Sequence, residues 1–303
     1  MVITNYYLLL NSRSFPAMLP DFIIIGAHKA GTSSLYRYLQ QHPSIFMPVL
    51  KEPRFFAFNE DNPTHREKSR QVFPIRTLPE YEALFEEGVS FDLVGEASPE
   101  YLNSSIAAKR IYECCSTVKL IVSLRNPSDR AYSLYQMSFR SGRTESSFPD
   151  WINGQMRKSD YSIRTLFYYE NLARYFDLYK RDKIKVCLFD DIRANSAAVV
   201  KDLYGFLNVD QSFTPDTSKT YNQGGLPKNR LLHRLLSNRN LRNVVKPFIP
   251  SKAKDFANKL TAKNLEKASS IDADYKLELN SMFKDDINKL EELICRDLSS
   301  WKN

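Results

Sequence analysis

A lysine, two glycines and three consecutive hydroxyl residues share nine positions, Gly26-Ala27-His28-Lys29-Ala30-Gly31-Thr32-Ser33-Ser34. The chemistry such a set offers is anion binding: Lys29 carries a full positive charge, and Thr32, Ser33 and Ser34 are hydroxyl donors. The spacing narrows the choice of anion. A nucleoside-triphosphate loop, GxxxxGK[ST], puts its lysine directly after the second glycine, where it reaches the β- and γ-phosphates, and the next hydroxyl holds magnesium. Here Thr32 occupies that position and the lysine stands between the glycines. A bare GxxxxG would equally read as a turn between strand and helix; the lysine and hydroxyls favour an anion site.

Three further charged positions carry possible chemistry. Glu52, in Lys51-Glu52-Pro53-Arg54-Phe55-Phe56, is a carboxylate able to remove a proton from an attacking hydroxyl or amine, or else an ion-pair partner of Lys51 or Arg54. Glu96, in Gly95-Glu96-Ala97-Ser98-Pro99-Glu100-Tyr101-Leu102, is either a cleft residue or a buried, hydrogen-bonded scaffold group. Arg125, followed by Asn126-Pro127-Ser128-Asp129-Arg130-Ala131-Tyr132-Ser133, offers forked donors that match phosphate oxygens. A single arginine at a strand end is otherwise a structural ion-pair partner.

The surrounding pattern supplies the elements that position these groups. The unbroken apolar run at residues 22–25 predicts a strand buried on both faces, and Leu35 and Leu39 predict a helix over 32–41 that stops before Pro43. The first amides of such a helix lack intrahelical partners and sit at its positive end, which suits an anion. Residues 44–48 read as extended, residues 63–88 as a loop then a helix, and residues 119–124 as a second buried strand with a helix after Pro127. In an open parallel sheet, ligands sit outside the carboxyl ends of the strands, which places Glu52 beside the lysine loop. Further on, residues 161–179 predict one packed helix with Leu166, Tyr169, Leu172 and Phe176 in the core. Residues 185–189 predict a strand and 197–207 a helix. Leu279, Phe283, Ile287, Leu290 and Ile294 predict an amphipathic closing helix.

The loop order GxxKxGTS resembles the 5′-phosphosulfate loop of sulfotransferases that use 3′-phosphoadenosine 5′-phosphosulfate (PAPS), of the bacterial and carbohydrate type that includes heparan sulfate sulfotransferases. Lys51 to Phe56 looks like that family's KEPHFF, residues 95–102 like its GExSPxYL, and Arg125 to Ser133 like its 3′-phosphate motif RNPxxRAxS. The resemblance runs over residues 20–301 and ends in Arg296-Asp297-Leu298-Ser299-Ser300-Trp301, similar to the bacterial C-terminus. It implies an α/β, P-loop-kinase-like three-layer fold with a central, mainly parallel sheet flanked by helices. Its implied site has residues 28–34 around the phosphosulfate, Lys29 on the bridging oxygen, and Glu52 as general base. Arg125 and Ser133 take the 3′-phosphate, with Arg130 as a further candidate, and Lys228 and Arg230 lie in a loop that closes over the nucleotide. Arg54, Glu96 and Ser98 face the acceptor. Arg54 stands where the family has histidine and Ala97 where glycosaminoglycan enzymes often have lysine, so the acceptor is expected to differ from heparan sulfate. The product is adenosine 3′,5′-bisphosphate (PAP), and no metal is implied.

At 303 residues and 43% hydrophobic content, the expectation is one sulfotransferase domain over 20–303 behind an N-terminal arm, 1–19. The apolar stretch at 2–10 is interrupted and shorter than the ~20 residues a membrane span needs, so no transmembrane segment is expected. The four cysteines, Cys114, Cys115, Cys187 and Cys295, lack metal-ligand spacing and read as reduced core residues of a cytoplasmic protein. Net charge is +8, concentrated at 228–263, where ten lysines and arginines face one acid, Asp255. Such a segment attracts anionic partners, or it is a solvated helical face. A saccharide or small-molecule acceptor and no specific nucleic acid partner are expected. The competing classes are a small-molecule kinase and a non-catalytic binder of acidic glycan or nucleic acid through 228–263; oligomeric state is not legible.

Overall fold

The apolar run after Asp21 forms β1 (Phe22–Gly26), and every residue of it is buried, with Phe22 to Ile25 at zero exposure. Side chains alternate across a strand, so burial of all four residues means that both faces of β1 are covered. This follows from its place in a five-stranded sheet with β2 (Ile45–Phe46), β3 (Leu93–Ala97), β4 (Lys119–Leu124) and β5 (Ile184–Leu188). The order is β2-β3-β1-β4-β5 and every pairing is parallel. Phe22 pairs with Gly95 on one side and Lys119 on the other.

The computed structural model describes residues 18–67, 72–157, 161–219, 221, 226–227, 265–266 and 270–303. Contacts group the chain into two compact units, Met1–Arg125 with Glu170–Tyr221, and Asn126–Tyr169 with Asn222–Asn303. The expected N-terminal arm, apart from its last two residues, and the basic segment 228–263, with Lys228 and Arg230, lie outside the described residues.

The first unit holds the sheet. One apolar cluster joins Phe22 and Ile24 to Leu35, Tyr36, Tyr38 and Leu39 of α1 (Thr32–Leu39) and to Val200, Leu203, Tyr204 and Leu207 of the helix Ser196–Leu207. Residue 189 departs from the expected strand: β5 ends at Leu188 and Phe189 opens the helix Phe189–Ala194.

In the second unit, the helix Pro127–Arg140 begins as its sequence predicts. Asn126 caps it, its Oδ1 accepting from the amides of Ser128 at 2.9 Å and Asp129 at 3.2 Å, with proline in the first turn. The closing helix Ala273–Ile294 buries Leu279, Phe283, Ile287, Leu290 and Ile294. It also buries Asn280, which accepts from Ser128 Oγ at 2.7 Å and donates to the Asn303 carbonyl at 2.8 Å.

The single helix expected over 161–179 is instead two, Tyr161–Arg164 and Tyr169–Phe176. The break has a tertiary cause. Asp286 accepts from the backbone amides of Tyr168 at 2.7 Å and Tyr169 at 3.0 Å, and Arg130 donates to the Thr165 carbonyl. Backbone groups taken by side chains cannot close helical turns. Tyr168 and Tyr175 therefore join Leu166 and Leu172 in full burial, while Tyr169 and Phe176 are only half-buried. All four cysteines are free, but only Cys115 and Cys187 are core residues; Cys114 is partly exposed and Cys295 exposed.

Candidate active site

The lysine loop hangs between the carboxyl end of β1 and α1, shaped by backbone bonds to β4. The Ala27 amide donates to the Ser123 carbonyl at 2.7 Å, and Ser123 Oγ donates to the Ala30 carbonyl. The Ala30 amide closes the loop on the Ala27 carbonyl at 3.2 Å. Ala30, fully buried, thus serves the loop's shape rather than a ligand's surface. Lys29 has φ 66° and Gly31 φ 89°, both left-handed. For a lysine that conformation costs on the order of 1–3 kcal/mol, strain of a kind that clusters at binding sites. At Gly31 a Cβ would also meet the Phe189 ring at 3.0 Å. Close approach fixes Gly26 too, where a Cβ would stand 2.6 Å from Leu102 Cβ.

No side chain caps α1. Its positive end faces the loop, with Thr32 and Ser34 nearly buried and Ser33 half-buried. Arg125 follows β4, and its Nη1 donates to the Lys29 carbonyl at 3.3 Å while its guanidinium lies 4.6 Å over the Phe189 ring. In the order β2-β3-β1-β4-β5 the chain leaves β1 toward one edge and β4 toward the other. The crevice between these strand ends is the topological switch point, where open α/β sheets bind ligands.

Glu52 lies on the loop after β2, held to the end of β3. Its amide donates to the Ala97 carbonyl at 3.1 Å, and the Arg54 amide donates to Ser98 Oγ at 3.1 Å. Glu52 and Arg54 are both left-handed, φ 63° and 58°. The Glu52 carboxylate accepts from Lys51 Nζ at 2.6 Å and Arg54 Nη2 at 2.7 Å, so it pairs with both neighbours. Burial alone would raise its pKa. The Lys51 charge and the hydrogen bonds from Lys51 and Arg54, with the His28 charge beyond, outweigh this and hold the carboxyl at about 2.

Beneath that loop, Glu96 and Ser98 are buried at 1% and 0% exposure. They give the acceptor no surface, in contrast to the sequence expectation. Glu96 accepts from the Tyr81 hydroxyl at 3.0 Å and Ser98 Oγ at 2.8 Å. Arg130, fully buried, holds its guanidinium 5.3 Å over the Tyr168 ring and donates to the Thr165 carbonyl. Ser133 lies in the second unit on the helix Pro127–Arg140 with 9% exposure.

The sulfotransferase-domain family profile matches residues 19–276. The chain belongs to the sulfotransferase family. A crystal structure of a sulfotransferase from Alicyclobacillus acidocaldarius is 31% identical, covering 94% of this chain and 100% of that one, with a TM-score of 0.70. The chain is 34% identical over 125 residues to the membrane-associated sulfotransferase kil1 of Dictyostelium discoideum, covering 40% of this chain and 24% of that protein. It is 36% identical over 124 residues to the human bifunctional heparan sulfate N-deacetylase/N-sulfotransferase 3, covering 39% and 13%. Those curated relatives are therefore matched over about a quarter of their length or less. Among the described residues, no helix is long and apolar enough to cross a membrane.

Several residues around the candidate site stand at no specified position of the motifs. Phe189 floors both Gly31 and Arg125. Glu100 Oε2 lies 3.1 Å from His28 Nε2 and orients that ring. Arg110 donates to the carbonyls of Phe55 at 3.1 Å, Phe56 at 3.2 Å and Phe58, closing the far end of the Glu52 loop. Tyr81 stacks on Phe55, with centroids 4.8 Å apart, while bonding Glu96.

Glu96 makes the site's burial measurable. Burial pushes its pKa from 4.5 to about 7, against the hydrogen bonds from Tyr101, Ser98 and Tyr81 and the Lys51 charge. A carboxyl whose folded pKa is raised contributes stability fully below its unfolded pKa and loses it as pH rises through the folded value. The melting temperature of the wild type is therefore expected to fall more steeply from about pH 5 to pH 8 than that of Glu96→Gln. Parallel curves in a thermal-shift series would show that Glu96 is not desolvated in solution.

Proposed function

We propose that this chain transfers a sulfuryl group from PAPS to an acceptor hydroxyl or amine, with a saccharide as the first acceptor class to test. The observation that carries the reading is the pairing of two anion-binding groups at the switch point: the uncapped, lysine-bearing loop after β1, and Arg125 against the Lys29 carbonyl. The fit to PAPS rests on the donor set. Residues 26–34 contain a lysine, three hydroxyls and no acid, and Arg125 adds a forked cation for a second phosphate. Family membership and the heparan sulfate relative support the reaction type and the saccharide class.

PAPS supplies the activated sulfuryl group. Lys29, the amides of residues 31–33 and the hydroxyls of Thr32, Ser33 and Ser34 balance charge that develops on the leaving side, the role fixed donors perform best in a site closed to water. Arg125 holds the 3′-phosphate, a role the motif also gives Ser133. Glu52 takes the proton of the attacking group. Its carboxylate is ionised throughout the neutral range, so it is always in the form that accepts a proton. Arg54, bound to Glu52 in the free protein, would meet the acceptor.

Calorimetric titration of PAP, 5′-AMP and magnesium ATP into the purified protein tests the reading. PAP is expected to bind tightest, and Arg125→Ala to weaken PAP by about 10- to 100-fold with 5′-AMP unchanged, the scale of a lost charged hydrogen bond. Equal weakening of both nucleotides would remove Arg125 from the 3′-phosphate. Preference for ATP would point to a kinase, and no nucleotide binding to a basic binding module.

A further inference from the structure

We infer that Glu96 and Ser98 form a buried relay that positions Glu52 for proton removal. The inference rests on the sulfuryl-transfer reading above for its effect on turnover, and on geometry for the positioning itself.

Ser98 has one hydroxyl proton and two lone pairs. The Glu96 carboxylate takes the proton at 2.8 Å, which leaves a lone pair of Ser98 Oγ directed at the Arg54 amide, 3.1 Å away. The Tyr81 hydroxyl, at 3.0 Å, fixes the other Glu96 oxygen. With Glu96 ionised, the relay therefore runs from the buried carboxylate through the Ser98 hydroxyl to the backbone of the base loop.

That loop needs such a hold. Glu52 and Arg54 flank Pro53 and are both left-handed, a conformation that persists only where surroundings over-determine it. Three anchors do so: the Glu52 amide on the Ala97 carbonyl, the Arg54 amide on Ser98 Oγ, and Arg110 on the carbonyls of Phe55, Phe56 and Phe58. Ser98 supplies the only side-chain acceptor among the three, and it adjoins Ala97, so the end of β3 carries two anchors in succession. Because the Arg54 guanidinium also grips Glu52 Oε2 at 2.7 Å, the backbone set by Ser98 fixes the direction of the carboxylate as well.

Ser98→Ala tests the relay, read by amide hydrogen exchange of a peptide covering residues 51–57 and by turnover with PAPS over a panel of saccharide and phenolic acceptors. Exchange in that peptide is expected to rise, and kcat to fall, each by about tenfold, with PAP affinity unchanged and the strands β1 and β4 exchanging as in the wild type. Ser98→Thr, which keeps the oxygen, is expected to restore both. Wild-type exchange and wild-type kcat in Ser98→Ala would overturn the relay. So would faster exchange spread evenly over the sheet, which reports general destabilisation. Local loosening in Ser98→Ala together with a wild type that transfers to no acceptor would support the positioning and overturn the sulfuryl-transfer reading.

Discussion

Glu52→Gln is expected to lower turnover by about 100- to 10,000-fold while leaving PAP affinity essentially unchanged, the signature of a lost general base. The substitution keeps the side chain's size and an oxygen to accept from Arg54 or Lys51, so the left-handed loop and its anchors on Ala97 and Ser98 persist. What disappears is the group that takes the acceptor's proton in the proposed mechanism. Under the proposed mechanism, the two cations held on Glu52 reconcile a carboxyl at about 2 with a base's role. A cation drawn from Glu52 to a bound acceptor would take away a charge that lowers the Glu52 pKa, and the proton affinity of the carboxylate would rise. Steady-state kinetics beside PAP titration checks the expectation. Undiminished kcat in Glu52→Gln would leave the carboxylate with only its ion-pair role.

Lys29→Ala is expected to reduce kcat/KM by about 100- to 1,000-fold, the range seen when one positioned donor to a developing charge is removed. Alanine accepts the backbone geometry no worse than lysine, because both carry a Cβ at the left-handed position, φ 66° here. The carbonyl that receives Arg125 also remains, so the variant removes the ammonium group and little else. A larger loss in kcat than in PAP affinity would place Lys29 on charge that appears during transfer. Equal losses would make it a simple nucleotide ligand, and retained activity would take it out of the mechanism.

The legible part of the site was local in the chain. Residues 22–25 announce a buried strand because four apolar residues in a row satisfy both faces of a sheet, and two glycines and a lysine then fit a turn into a helix. Asn126 and Pro127 announce the next helix because capping uses neighbouring residues. The helix expected over 161–179 failed for the complementary reason. Its periodicity is helical, but Asp286 and Arg130, distant in sequence, take the backbone groups that would have continued it. The choice between the two readings of Glu52 and of Glu96 was equally closed to the sequence. Glu52 proved to hold both candidate ion pairs, and Glu96 to be a buried scaffold carboxyl.

The sequence by itself determined the sheet's central strand, the lysine loop, the positions of Glu52 and Arg125 just beyond strand ends, and the family. Each depends on residues within about one turn or strand of one another, where steric and hydrophobic pattern act directly. Tertiary structure alone decided the state of the carboxylates, the Phe189 floor beneath Gly31 and Arg125, and the hold of Ser98 on Arg54. Those features depend on desolvation and on charges or donors a few ångströms away, and here the partners come from strand ends far apart in the chain.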